Sequence, residues 1–246
     1  IVFIRTDVSG IDNIVRANYE NVCETTLATT ICNSSAVKVA TIEHFMAAVW
    51  SSGIDNMIVE LDGPEIPIMD GSSRPFMFML ACSGIANLNK QKRRIKILKE
   101  VFIQNDDAYI AVEPSNTFTI EASIEFASKA IGKQSMIFDK NVNFKDEISA
   151  ARTFGFVNEL KYLNSKGLGL GANLDNAVGI DENDEIISKL RFENEFVRHK
   201  ILDAIGDFAT AGLIDAHFRS HKSGHNLNNQ ILHKIFSNSN NYTFVS

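Results

Sequence analysis

The nine residues His199-Lys-Ile-Leu-Asp203-Ala-Ile-Gly-Asp207 place one imidazole and two carboxylates at successive i, i+4 steps. On a helix that spacing lines all three along a single face. Far upstream, Glu43-His44 opens another apolar-periodic segment, and Lys222-Ser223-Gly224-His225 supplies a further histidine in a glycine-containing loop. Together these segments point to a metal-dependent hydrolase that uses zinc.

A hydrolytic zinc ion needs three protein ligands, commonly two histidines and a carboxylate, with the fourth position left open for water. His44, His199 and Asp203 fit that set. In such a site the ion lowers the pKa of bound water to roughly 7, and a base must then take and relay the proton. Glu43, covalently next to a ligand, is placed to do so. Each piece alone has an ordinary explanation. A His-x3-Asp pair on a helix is a common surface ion pair or cap, and acidic residues belong in a first helical turn in any case. The combination carries the reading.

With 246 residues the chain has ample length for one large domain or two small ones. A net charge of -6 gives no clustered basic face of the kind that nucleic acid requires, so no nucleic-acid partner is expected. The longest apolar stretch, Pro75 to Leu88, is interrupted by Cys82-Ser83-Gly84 and is too short to span a bilayer. Cys23, Cys32 and Cys82 lack a metal-ligand spacing and read as reduced thiols of a cytoplasmic protein. The chain opens at Ile1 inside a strand-like run, and is expected to be an N-terminally truncated piece.

The first third reads as alternating strands and helices. Thr41 is predicted to cap a helix carrying Ile42, Phe45, Met46 and Val49 at the 3.6-residue period, with Gly53 beyond its end. Asn56 to Leu61 reads as a strand. Asp62 to Gly71 is a stiff, proline-rich loop, and Ser73 is a second predicted cap. The polar, basic stretch Asn87 to Arg94 is the expected boundary between a first α+β domain (1–88) and a second (89–246). Beyond it, Ile95 to Ile103, Ala108 to Glu113 and Thr117 to Phe126 pattern as strands, and Thr153 to Lys166 as a short helix. Gly167-Leu-Gly-Leu-Gly171 follows a helical pattern and so is not a dinucleotide fingerprint. Asp184 to Asp215, whole or broken, and Leu227 to Phe236 read as closing helices. Ile54-Asp-Asn-Met-Ile58 is similar to Leu174-Asp-Asn-Ala-Val178, a hint of internal duplication.

Six stretches carry a family resemblance. They are Thr41-Ile-Glu-His-Phe-Met-Ala-Ala48, Gly53-Ile-Asp-Asn56, Asp62-Gly-Pro-Glu-Ile-Pro-Ile-Met-Asp-Gly-Ser72, Ala151-Arg-Thr-Phe-Gly-Phe156, His199 to Asp207, and Ser223-Gly-His-Asn-Leu-Asn-Asn229. In this order they resemble UDP-3-O-acyl-N-acetylglucosamine deacetylase, the zinc amidase of lipid A biosynthesis in Gram-negative bacteria. The resemblance implies two similar α+β domains, each a β-sheet layer with helices, the helices packed between the sheets. It also implies a β-α-β insert in the second domain at about 155–180, forming a passage for the acyl chain, with Leu163, Leu168 and Leu170. It further implies one Zn2+ per chain on His44, His199 and Asp203, with Glu43 as general base. Thr153 would stabilise the oxyanion. His225 would serve as general acid or positive charge, held in its useful tautomer by Asp207. Lys200 and Lys222 would face the diphosphate or sugar, and Phe154 and Phe156 the sugar and acyl side.

The implied reaction removes the N-acetyl group of a UDP-linked, 3-O-acylated amino sugar, leaving UDP-3-O-acyl-glucosamine and acetate. The expected setting is a monomer with no integral membrane segment. Two departures stand out, Asn226 where the family usually has Ala, and the extra histidine His221 beside Lys222. Two alternatives stand beside this reading: a zinc amidase acting on another N-acylated sugar, and a non-catalytic nucleotide-sugar or lipid-binding fragment. A nitrogen and oxygen donor set also accepts Fe2+.

Overall fold

A computed structural model describes residues 1–165 and 169–245. The first half runs β1 (Val2–Arg5), β2 (Ile14–Arg16), β3 (Val22–Glu24), β4 (Thr30–Cys32), β5 (Lys38–Val39), α1 (Glu43–Ser51), β6 (Ile58–Leu61) and α2 (Arg74–Ser83). The second half opens with five strands, β7 (Arg94–Ile97), β8 (Val101–Asn105), β9 (Ala108–Pro114), β10 (Thr119–Glu125) and β11 (Lys133–Phe138). It continues through α3 (Phe144–Glu147), β12 (Phe154–Phe156), α4 (Val157–Ser165), β13 (Val178–Ile180) and α5 (Glu195–Ala209). It closes with β14 (Leu213–His221), α6 (His225–Phe236) and β15 (Tyr242–Val245).

This is the expected mixed α+β architecture. In the first half β1 lies between β2 and β6, antiparallel to one and parallel to the other, while β3, β4 and β5 form a separate antiparallel sheet. In the second half β14 is the spine: β10 and β7 run parallel to it and β9 antiparallel. Two apolar clusters follow this division. One gathers Phe3, Val15, Ile31, Ile42, Phe45 and Phe76, and the other Ile110, Ile120, Phe196, Ile201, Phe218 and Ile231. Helix α1 contributes Ala47 to the second cluster and most of its other apolar residues to the first, so it is buried on nearly all sides. No helix among the described residues is long and apolar enough to cross a membrane.

The β-α-β insert is present as β12, α4 and β13, with the two strands parallel and Phe154 opposite Val178. Leu170 is exposed, whereas Leu168 falls outside the described residues. The two similar pentapeptides both lead into a strand at their fifth residue, β6 at Ile58 and β13 at Val178, and each strand pairs in parallel with its partner. The duplication hint therefore has a structural counterpart.

Several local expectations need correction. Thr41 does not cap α1; its φ is +58° and its hydroxyl donates to Glu65 Oε1 at 2.7 Å, fixing the proline-rich loop instead. Ser73 sits at the start of α2 but its hydroxyl donates to the carbonyl of His44 at 2.7 Å, a tertiary bond that competes successfully with capping. Ile95 to Ile103 is two strands rather than one. Thr153 to Lys166 begins as β12 before turning helical, because Thr153 and Phe154 pair with the Val178 strand. The helix expected from Asp184 starts only at Glu195, and Leu213 onward is the central strand β14.

Candidate metal centre and active site

The site is built on the crossing of α1 and α5. At that crossing a Cβ on Gly206 would stand 1.9 Å from the carbonyl oxygen of Glu43, so only glycine lets the two backbones approach this closely. The contact brings the first turn of α1, with Glu43 and His44, against the ionisable row of α5. All these groups are buried: Glu43, His44, His199, Asp203 and Asp207 are each 3 % exposed or less.

His44 Nε2 lies 3.4 Å and His199 Nε2 3.2 Å from the same oxygen, Asp203 Oδ1. The two imidazoles meet nearly at right angles, their centroids 4.9 Å apart. Asp203 Oδ1 is fully buried with no hydrogen-bond partner, an arrangement that costs free energy unless a cation completes it. Two ring nitrogens and a carboxylate oxygen within 4.8 Å of one another could hold a metal ion, and they form the sole such cluster among the described residues. The second layer suits that role. His199 Nδ1 contacts the carbonyl of Ala151 at 3.1 Å, which fixes the ring with Nε2 directed inward. Burial pushes the His199 pKa down to about 3, keeping the ring neutral as a ligand must be. Burial works against ionisation of Asp203, yet the basic groups of His199 and Lys200 hold its carboxyl well below the ordinary range.

One turn further along α5, Asp207 is saturated. Its Oδ1 accepts from Thr29 Oγ1 at 2.6 Å, and its Oδ2 from His225 Nδ1 at 2.9 Å and Asn228 Nδ2 at 2.8 Å. Burial disfavours a charge on His225, but the charge and hydrogen bond of Asp207, with Glu43 and Asp203 nearby, push its pKa up to about 9. Glu43 accepts the backbone N–H of Thr29 on Oε2 at 2.9 Å. Burial raises its carboxyl above the ordinary glutamate range, against the pull of His225 and His44.

The remaining expected residues surround this cluster unevenly. Lys200 Nζ donates to Asp203 Oδ2 at 3.0 Å and lies 5.6 Å from the centre of the Phe154 ring. Phe154 packs edge-on against His199 and Phe196. Thr153 is half-buried and its N–H donates to the carbonyl of Gly71 at 2.8 Å, tying it to the proline-rich loop. Arg152, just before it, is locked to Glu195 at the start of α5 through Nε and the backbone N–H, at 2.9 and 3.0 Å. Phe156 packs against the larger core. Lys222 is instead paired with Asp107 at the surface, and His221 Nδ1 meets Ser123 Oγ at 2.8 Å. Sequence reasoning missed Thr29, Asn228 and Gly206. The first two act on partners remote in sequence and left no local signal, whereas a lone glycine inside an apolar helix was a readable one.

Comparison with known proteins gives a consistent picture. The chain is 41% identical to the UDP-3-O-acyl-N-acetylglucosamine deacetylases of Haemophilus influenzae (strain 86-028NP) and Pasteurella multocida (strain Pm70), over all of this chain and 82% of each relative. It is 43% identical to the protein of the same name from Syntrophus aciditrophicus (strain SB), over all of this chain and 78% of that relative. The family model described as "LpxC: UDP-3-O-acyl N-acetylglycosamine deacetylase" matches residues 1–237, and the chain belongs to that family.

Proposed function

We propose that this chain is a zinc-dependent amidohydrolase of lipid A biosynthesis in the Gram-negative cytoplasm. It would hydrolyse the N-acetyl amide of UDP-3-O-acyl-N-acetylglucosamine to UDP-3-O-acyl-glucosamine and acetate. The observation that carries the reading is the unpartnered Asp203 Oδ1 facing two inward imidazole nitrogens, next to a buried glutamate and a charged histidine. Family membership supplies the substrate.

His44, His199 and Asp203 would hold the zinc ion. When bound, the metal supplies Lewis acidity, polarising the amide carbonyl and lowering the pKa of a water ligand to roughly 7. Glu43 is the general base. Its Oε2 is held by the N–H of Thr29, which leaves Oε1 to take the proton of the attacking water. His225 is bound to Asp207 through Nδ1, so its Nε2–H points away from that bond and donates to the departing sugar nitrogen. Thr153 donates its hydroxyl to the oxyanion as charge develops there. Phe154 would flank the sugar, with Phe156 behind it on the acyl side, and Lys200, together with Lys222 once it exchanges Asp107 for the ligand, would offset the phosphate charge. Residues 1–88 and 89–246 are taken as the two domains that close on this site, a division supported by the two apolar clusters.

The test is acetate release from the UDP-linked sugar, with and without its 3-O-acyl chain, by protein loaded with zinc. Release that depends on the acyl chain is expected. Full preference for the unacylated sugar would sink the proposed substrate, and no release from either would sink the reaction.

A further inference from the structure

Thr29 lies in the turn between β3 and β4, 14 positions before Glu43 and 178 before Asp207, yet every polar group it owns is committed to the two helices or their threshold. Its N–H donates to Glu43 Oε2 at 2.9 Å, its hydroxyl donates to Asp207 Oδ1 at 2.6 Å, and its carbonyl accepts from the N–H of Ile42 at 3.2 Å, at the threshold of α1. The residue is 2 % exposed, so these bonds form in a dry environment where they are strong and directional. Each carboxylate is gripped by one oxygen and works through the other. Glu43 keeps Oε1, which has no hydrogen bond among the described residues, and Asp207 keeps Oδ2, which holds the His225 ring.

We infer that Thr29 is a positioning residue for the proposed reaction: its hydroxyl fixes the rotation of the Asp207 carboxylate, and its backbone fixes that of Glu43, so that the base and the proton donor are set by one residue. The inference rests on the deacetylase reading. A carboxylate on a single-bond axis can turn away from an imidazole unless its second oxygen is also held. Asn228 does not do this, because it binds the same oxygen as His225. Thr29 alone holds the opposite one among the described residues.

Thr29→Val keeps the shape and removes the hydroxyl, while Thr29→Ser restores the hydroxyl and removes a methyl. In zinc-loaded full chain, kcat should fall about 10- to 100-fold in Thr29→Val, the usual size for a lost second-layer bond, with KM unchanged, and Thr29→Ser should recover most of it. A second readout needs no substrate. The downfield Nδ1–H proton signal of His225 should shift or vanish in Thr29→Val and persist in Thr29→Ser. Where the valine variant does not fold, Thr29→Ala carries the same comparison. Unchanged kcat in the valine variant, a loss that serine does not recover, or a fallen kcat with the His225 signal intact would each overturn the inference. If the signal behaves as expected but wild-type protein releases no acetate, Thr29 still positions Asp207 and the deacetylase reading is what fails.

Discussion

The two ends of the ionisable row on α5 are finished in opposite ways. At His199 and Asp203 the donors face one another and one buried carboxylate oxygen has no partner. At Asp207 both oxygens are occupied, by Thr29 on one side and by His225 and Asn228 on the other. An unmet buried polar group costs about 1–3 kcal/mol, and more when charged. Of the two α5 carboxylates, only Asp203 carries that cost, at the oxygen where a cation would remove it, while both oxygens of Asp207 are hydrogen-bonded. The first end should therefore respond strongly to metal, whereas the hydrogen bonds of the second are complete without it.

The sharpest way to break this contrast is to remove a ligand. His199→Ala should abolish bound zinc and reduce turnover by about 10³- to 10⁴-fold, since several kcal/mol of charge stabilisation leave with the ion. Metal analysis showing equal zinc in this variant and in wild type would contradict the ligand assignment. Zinc should also raise the thermal midpoint of wild type, by the equivalent of about 2.7 kcal/mol at one hundred times the dissociation constant, and leave His199→Ala unmoved. Glu43→Gln separates base from ligands. It should keep its zinc and lose about 10²- to 10³-fold in kcat, within the range of a positioned general base.

At the other end the expected signature is in pH. His225 is held at about 9 in the fold, above the ordinary histidine value, so it is charged and able to donate at neutral pH. Activity that needs this proton should be lost as pH rises through about 9. The same shift has a stability consequence. Because the folded value is raised, the His225–Asp207 pairing contributes fully below the ordinary histidine pKa of roughly 6.5 and is lost as pH rises from there through the folded value. Asp207→Asn removes the largest upward influence while burial remains, so the alkaline limb should move to lower pH with zinc content unchanged. A limb that stays in place would take His225 out of the proton-donor role.

This contrast was only half legible in the sequence. The i, i+4 row on α5 and the Glu43-His44 pair could be read because helical period alone decides which residues share a face. The helix carrying His225 was anticipated within two residues of its observed start. What could not be read is what lies across from those faces. Thr29 meets Asp207 over 178 positions of chain, and no local pattern encodes such a pairing. Thr41 and Ser73 have the composition of helix caps, but their hydroxyls bond Glu65 and the His44 carbonyl, so tertiary partners overrode a local preference. The central strand β14 escaped for a related reason. Its outward His217, Arg219 and His221 and its buried Asp215 and Ser220 give it a polar look, and only the neighbouring strands β7, β9 and β10 make it the spine of the sheet.

Gly206 joins the two ends, and the smallest expected effect comes from it. Alanine is the better helix former by about 1 kcal/mol, so judged on α5 alone Gly206→Ala should stabilise. The added methyl, however, would meet the backbone of Glu43 at 1.9 Å, and backbone cannot turn aside as a side chain can. Relief must come from α1 backing away, at a cost of about 1–3 kcal/mol for overpacking, which offsets the gain in propensity. The net change in folding stability should therefore be small. The geometric change is not shared equally. His44 and Glu43 ride on α1 and would withdraw from Asp203, whereas the His225–Asp207 pair rides on α6 and α5 and would stay. Zinc affinity should thus fall by about tenfold, the low end for a disturbed ligand layer, while the His225 Nδ1–H signal is kept. A Gly206→Ala chain that binds zinc as tightly as wild type would show that the close crossing is mere packing, and that the two ends are not held in register by it.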